Sequence, residues 1–159
     1  MATVELTFSA LPAHVRTARL IATAIARRTG VPEAVLDEVR LAVGEACSRA
    51  VEAHRRHCPG QPIRIELRDD SGRFEVTVTD AAPSDDLSVG MPADPFVNPP
   101  HMFSRDGQSS LGVFPDSLTA GFGIAVIVGL ADDVEVLPSA EGLRIRMSWP
   151  AAGNGVALN

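Results

Sequence analysis

Residues 76–84 read VTVTDAAPS and mark the point where a strand ends. Side chains alternate between the two faces of a strand, so Phe74, Val76 and Val78 share an apolar face, and Asp80 falls on that same face. A buried carboxylate is costly unless it has a partner. The alanines and the proline that follow do not continue the strand, because proline lacks the N–H that a ladder needs. The sequence therefore predicts a buried acid at the end of a strand.

The composition is that of a folded globular domain. The chain has 159 residues, of which 45% are apolar and 21% are charged, so it can bury a core and differs from disordered chains. Its net charge of −6 argues against nucleic acid and against an anionic membrane, because both select for a basic surface. We expect partners of neither class.

Leader and membrane-span patterns are not found in the sequence. The longest apolar stretch, residues 121–131, is too short to cross a bilayer. Cys47 and Cys58 lie on one predicted helix. Their separation along its axis is about 16 Å at the helical rise per residue, so they cannot form a disulfide. We expect a reduced protein located in the cytoplasm.

Periodicity divides the chain into helices and strands in the order β-α-α-β-β-α-β-β. Strands are predicted at 3–9, 63–68, 73–80, 133–138 and 142–149, and helices at 13–29, 32–57 and 121–130. A four-residue turn, 69–72, joins the two middle strands. The order predicts an α+β fold: a two-layer sandwich in which a mostly antiparallel mixed sheet is covered by helices on one face. Residues 1–150 are expected to form one domain and 151–159 a flexible tail.

Residues 81–119 show no periodicity and are rich in proline, glycine, serine and aspartate. A loop of this length inside a compact domain is typical of a lid or a binding segment, or is disordered. Phe96, Met102 and Phe103 form an apolar patch in it, which either packs on a cleft or meets a partner. Arg105 is a candidate phosphate contact.

Three segments in order carry a family resemblance: DEVRLAVGEACSRAVEAH (37–54), VTVTD (76–80) and AGFGIAVIVGLADDVEV (120–136). An acidic helix, a strand that ends in aspartate, a long loop, a Gly-x-Gly helix and an acidic pair resemble the GHKL, or Bergerat-fold, ATPases. The similarity is greatest to the anti-sigma-factor serine kinases of the SpoIIAB and RsbW type, and it covers residues 3–149. It implies the Bergerat fold.

The resemblance assigns roles to residues at the ends of these segments. Asp80 matches the aspartate that binds the adenine amino group; the alternative is that its side chain caps the following turn. Glu45 matches the general base. Arg49 stands where the family has the asparagine that binds Mg²⁺, and an arginine has no acceptor for a metal. We expect Arg49 to lie on Glu45, four residues away, or at the phosphate region in the metal's place.

The glycines of the family motifs are kept in one place and lost in another. Ala82 and Ser84 replace the two glycines that let backbone pass close to the nucleotide. Gly121 and Gly123 match and are predicted to open a helix whose N-terminus can bind an anion. Asp132, with the acid that follows it, matches a pair of structural acids. The sequence predicts no metal site and no firm cofactor, and ATP with Mg²⁺ stays open.

Other reactive side chains have simpler interpretations. His54, His57 and Cys58 (54–58, HRRHC) suggest metal ligation, but a fourth ligand is not near, and a solvated helix end is the alternative. Cys47 lies beside Glu45 without a partner base, so a small core residue is favoured.

The resemblance implies a partner-switching function. Such proteins hold a sigma factor, and a STAS-domain anti-anti-sigma factor competes for them until one of its serines is phosphorylated. We predict an anti-sigma-factor-like regulator that binds a STAS-domain antagonist, a sigma factor or both, with ATP binding and kinase activity weakened or lost. The alternative is an active serine/threonine kinase that phosphorylates the antagonist, with Glu45 as base. A detached histidine-kinase ATPase domain is a third, less favoured interpretation. Relatives often form dimers, so a homodimer also stays open.

Overall fold

The computed structural model describes residues 2–82 and 116–152. In chain order the elements are β1 (Ala2–Phe8), α1 (Pro12–Thr29), a 3-10 turn (Glu33–Val35), α2 (Leu36–His57), β2 (Ile63–Asp70), β3 (Arg73–Thr79), α3 (Asp116–Leu130), β4 (Asp133–Ser139) and β5 (Gly142–Pro150). The predicted order of helices and strands is confirmed.

The five strands form one sheet in the order β1-β2-β3-β5-β4, and each neighbouring pair is antiparallel. One face of the sheet is apolar and buried on β2, β3 and β5. Its buried side chains are Ile63, Ile65, Leu67, Phe74, Val76, Val78, Ile145, Met147 and Trp149. They form the core together with the buried stripes of α1 and α2. The predicted α+β fold, with helices on one face of the sheet, is therefore confirmed.

The opposite face of the sheet is charged. Two arginines each pair with two carboxylates: Arg64 with Glu5 and Glu66, and Arg146 with Glu75 and Glu135. The shortest of these contacts are both 2.8 Å. Exposed ion pairs add little stability one by one, but this face shows the polar half of the strand alternation that the sequence contains.

The hairpin between β2 and β3 turns more tightly than the sequence predicts. β2 runs to Asp70, which pairs with Arg73, so only Ser71 and Gly72 form the turn. Their φ angles are 52° and 79°, as in the type I′ turn that matches the twist of a hairpin. The four-residue turn predicted at 69–72 is wrong because Ser71 adopts a positive φ, which is uncommon for serine.

The C-terminal end of α1 contacts residues 151–152, which follow β5. Gly30 has a φ of 94°, and a Cβ at this position would overlap the carbonyl oxygen of Ala152. The N–H of Ala152 donates to Gly30 O at 3.0 Å, and the N–H of Ala151 donates to Gly72 O at 2.8 Å. The first two residues of the predicted tail are thus bound to two turns; residues 153–159 lie outside the described part.

The start of α2 lies four residues later than predicted. The sequence predicts that Pro32 opens this helix, but a 3-10 turn, Glu33–Val35, comes first and α2 begins at Leu36. The N–H of Val35 donates to Pro32 O at 2.9 Å, which closes this tighter turn.

The start of α3 lies five residues earlier than predicted. The sequence predicts that Gly121 and Gly123 open the helix, but α3 begins at Asp116 and both glycines lie inside it. An acid in the first turn and four residues without glycine or proline before Gly121 favour the earlier start. The N-terminus of α3 is therefore not at the two glycines, and residues 116–119 of the predicted loop are helical.

The remainder of the predicted lid, with Phe96, Met102, Phe103 and Arg105, lies outside the described residues. Among the helices within 2–82 and 116–152, none combines the length and the apolar character needed to cross a bilayer.

Trp149 joins β5 to the end of α3. Its indole Nε1 donates to the carbonyl oxygen of Leu130 at 3.1 Å, and its ring stacks on Phe74 with centroids 6.2 Å apart. The side chain is 1% exposed. Packing and one hydrogen bond therefore hold α3 on the sheet at this end.

Replacement of this indole is expected to destabilise the domain. Trp149→Phe keeps an aromatic ring but removes the donor and part of the volume, so we expect a loss of about 1–3 kcal/mol in the free energy of unfolding. Urea unfolding followed by far-UV circular dichroism measures it, because the chain has one tryptophan and the variant loses that fluorophore. Leu41→Ala, at a 51% exposed position on α2, is the control. Equal losses for the two variants would contradict the role of Trp149.

Candidate functional site

Asp80 lies directly after β3 and is held by backbone on two sides. Its own N–H donates to Leu143 O at 2.9 Å, which extends the pairing of β3 with β5 by one residue. Its Oδ1 accepts from the N–H of Leu143 at 3.2 Å and from the N–H of Ala82 at 3.0 Å. The residue is 6% exposed. The contact with Ala82 is the turn cap that the sequence left as the alternative for Asp80.

The second oxygen of this carboxylate faces a cation. Arg49 Nη1 lies 3.5 Å from Asp80 Oδ2, and the two side chains are 14% and 4% exposed. The expectation that Arg49 lies on Glu45 or at the phosphate region stays a prediction, and the contact with Asp80 is one that the sequence did not reveal. The reason is non-local: α2 crosses the end of β3, which brings the two side chains together across 31 positions of the chain. The buried acid thus has two N–H donors and an ion-pair partner.

His54 holds the residue next to Asp80, and the sequence analysis did not find this role. Its ring is fully buried. Nε2 lies 2.8 Å from the N–H of Ala81, and Nδ1 lies 2.9 Å from Gln61 O. Since a backbone N–H only donates and a carbonyl only accepts, the ring is assigned as the tautomer with its proton on Nδ1.

The predicted solvated helix end is therefore wrong for His54. The apolar stripe of α2 predicts its burial, because Val43, Cys47, Ala50 and His54 follow one another at helical spacing. As for the metal alternative, the described residues contain no group of three histidine, cysteine or acidic side chains that is arranged to hold an ion.

Gly142 is a further residue at this point that the sequence does not reveal. It has a φ of 151°, and a Cβ there would overlap the carbonyl oxygen of Asp80. The hairpin between β4 and β5 therefore rests directly on the backbone of Asp80. A glycine near a hairpin turn is easily predicted, but its contact with Asp80 depends on the pairing of β3 with β5.

Glu45 lies one helical turn before Arg49 and is exposed. A Cβ built on Gly123 would lie 3.7 Å from Glu45 Oε2, so α3 passes close to this carboxylate. The structure thus brings together Glu45 and Gly123, as it does Arg49 and Asp80. Gly121 lies one turn or less from Gly123 on α3. Ala82 is buried, and Ser84 lies outside the described residues.

The two thiols are poor nucleophiles. Burial raises the pKa of Cys47 to about 12. The pKa of Cys58 is raised by burial and, to a lesser extent, by the negative charge of Asp80. A thiol with a raised pKa has little thiolate near neutral pH, so neither cysteine is prepared for covalent chemistry.

Comparison with known proteins identifies the family of this domain. A family model, the histidine kinase-like ATPase domain, matches residues 8–149. The chain belongs to the histidine kinase-like ATPase family. The prediction of an ATPase-type fold is confirmed by this match. A search of curated proteins gave no match.

A solved structure similar to this ATPase-family domain contains the RsbU and RsbW domains of Rv1364c from Mycobacterium tuberculosis. The TM-score is 0.58 at 16% identity, over 95% of this chain. At this identity the likeness concerns the fold. The domain spans about a third (33%) of the length of the chain in that structure.

The arrangement of charges restricts the chemistry of this ATPase-family domain. Mg²⁺ requires oxygen ligands, and the guanidinium of Arg49 offers only donors. Asp80 keeps its carboxylate, but its oxygens are already engaged by two N–H groups and Arg49. Glu45 is the exposed acid of the group.

Replacement of His54 tests its hold on Ala81. His54→Phe fills a similar volume but leaves the N–H of Ala81 and Gln61 O without this partner, so we expect a loss of about 2–4 kcal/mol in the free energy of unfolding. His57→Phe is the matched control, since His57 lies one turn further on α2 and is exposed. Urea denaturation measures both. A loss for His54→Phe no larger than that for the control would show that the ring does not carry these bonds.

The reactivity of Cys58 reports the charge of Asp80. At about pH 8 we expect Cys58 to react with iodoacetamide more slowly than free cysteine, because a raised pKa lowers the thiolate fraction. Asp80→Asn removes the negative charge and should increase the rate, whereas Asp132→Asn, at a remote surface acid, should leave it unchanged. Mass spectrometry of the alkylated peptides gives both rates. An unchanged rate in Asp80→Asn would contradict the proximity of the two groups.

Proposed function

We propose that this domain is a partner-switching regulator of the anti-sigma-factor type. It binds a STAS-domain anti-anti-sigma factor, a sigma factor or both in the cytoplasm, and thereby controls transcription, with kinase activity weakened or lost. The observation that supports the proposal is the Arg49–Asp80 ion pair inside a histidine kinase-like ATPase fold.

The Arg49–Asp80 ion pair is expected to weaken phosphoryl transfer, because it affects the neutralisation of charge on which that reaction depends. Phosphoryl transfer depends almost wholly on positioning and on neutralising charge, which metal ions normally supply. Arg49 stands where the resemblance expects a metal ligand, and its guanidinium contacts Asp80. A guanidinium held against Asp80 would not provide the oxygen ligand that Mg²⁺ needs, so the charge neutralisation that the metal would supply is expected to be weakened.

Binding of a protein partner does not depend on that chemistry. The core of the domain is formed mainly by apolar side chains of α1, α2 and the sheet, and the helices present their other faces at the surface. A regulator that sequesters its partner needs shape and charge complementarity, which the fold retains when the ATP chemistry is lost.

An active serine kinase is the second candidate function, and one observation favours it. Glu45 is exposed and lies close to Gly123. A general base that accepts a proton from a serine hydroxyl must be accessible to the substrate, and Glu45 meets this requirement. This kinase would need a metal held by groups other than Arg49.

Nucleotide binding and phosphoryl transfer separate the two candidates. We expect ATP with Mg²⁺ to leave the melting temperature of the domain unchanged, and we expect no label on a STAS-domain partner incubated with the domain and γ-labelled ATP. Size-exclusion chromatography of the same mixtures should show a complex without ATP. Label that appears on a partner serine and disappears with Glu45→Gln would establish the kinase and overturn the proposal. Failure of both STAS-domain and sigma-factor partners to form a complex would overturn the binding function.

A further inference from the structure

The partners of the Asp80 carboxylate define what this site can accept. Oδ1 is occupied by two backbone N–H groups, from Ala82 and Leu143. Oδ2 is the oxygen that faces a side chain, and that side chain is Arg49. A ligand that donates to Asp80 would therefore have to reach Oδ2 beside the guanidinium of Arg49, whose Nη1 lies 3.5 Å away.

We propose that Arg49 is a built-in occupant of the nucleobase end of the site: it takes the carboxylate oxygen of Asp80 that an amine-bearing base would need. The inference deepens the proposed function, on which it rests for the origin of the site in an ATPase. It differs from the metal-site expectation, because the block lies at the base and not at the phosphates.

Charge decides the competition. The exocyclic amine of adenine is a neutral donor, whereas the guanidinium of Arg49 is a cation whose Nη1 lies 3.5 Å from Asp80 Oδ2, so the two side chains attract each other as opposite charges. The Arg49 and Asp80 side chains are 14% and 4% exposed, so water screens their attraction little. Displacement of this cation by a neutral amine would remove the charge that compensates the buried Asp80 carboxylate, which is unfavourable.

The backbone around Asp80 prevents the carboxylate from turning to another direction. His54 holds the N–H of Ala81, Leu143 holds both the N–H and the Oδ1 of Asp80, and Gly142 packs against its carbonyl oxygen. The direction of Oδ2 is therefore set by the scaffold and does not depend on Arg49. Removal of the arginine should leave an acceptor that is already oriented.

Adenosine is the probe that isolates the base end, because it has no phosphate and does not bind Mg²⁺ as ATP does. We expect the unchanged domain to bind adenosine more weakly than titration calorimetry can detect, and Arg49→Ala to bind it at least about tenfold more tightly than that detection limit, with or without Mg²⁺. Inosine, which lacks the exocyclic amine, should not show this gain. Arg40→Ala removes an exposed arginine of α2 that pairs with Asp37, and it is the matched control.

Two further variants make the outcome decisive. Addition of Asp80→Asn to Arg49→Ala should abolish the gain, because the acceptor charge is gone. Arg49→Gln keeps length and a donor without the charge, and it replaces Arg49→Ala if circular dichroism shows that the alanine variant is unfolded. Folded Arg49→Gln or Arg49→Ala protein that gains no adenosine binding would overturn the inference. Arg49→Asn that gains only Mg²⁺-dependent ATP binding would also overturn it and place the block at the metal.

These outcomes are independent of the test of the proposed function. Phosphate transfer by the unchanged domain would remove the regulator proposal, whatever adenosine does. Absence of an adenosine gain would remove only the assignment of Arg49 to the base end.

Discussion

The need to compensate one buried carboxylate organises the centre of this domain. Asp80 carries its charge at the end of an apolar row, where it would be unstable without partners. Two N–H groups and Arg49 supply them, and they come from three separate parts of the chain: the turn after β3, the start of β5 and the middle of α2. The position of α2 over the sheet is thereby coupled to the pairing of β3 with β5.

The same compensation defines what the domain retains of its family. The resemblance predicts an acceptor for the base at Asp80 and an oxygen ligand for the metal at position 49. The acid is present at Asp80, and a cation of the protein, Arg49, lies against it. The acid therefore has partners within the protein itself. This internal compensation is compatible with the proposed function, in which the domain binds proteins and does not transfer phosphate.

Sequence predicted those parts of the structure that depend on local pattern. Strict alternation, as in Ile63 and Ile65, gave the strands, and their order with the helices gave the α+β class. Local pattern failed where conformation depends on distant contacts. Ser71 takes a positive φ inside a tight hairpin, and Arg49 contacts Asp80, which lies on another element. The burial of His54 could have been predicted, because this residue continues the apolar stripe that the sequence shows on α2. Its hydrogen bonds to Ala81 and Gln61 could not have been predicted, because they depend on how α2 packs against other parts of the chain.

The ion pairs between arginines and glutamates on the open side of the sheet have a consequence for the binding of other proteins. Two guanidinium groups, Arg64 and Arg146, each contact two carboxylates, so charges of opposite sign lie side by side on this face. An approaching protein would have to dehydrate charges that already neutralise one another, for little gain. The open side of the sheet is therefore a less favourable surface for protein binding than an uncharged face of the same area would be.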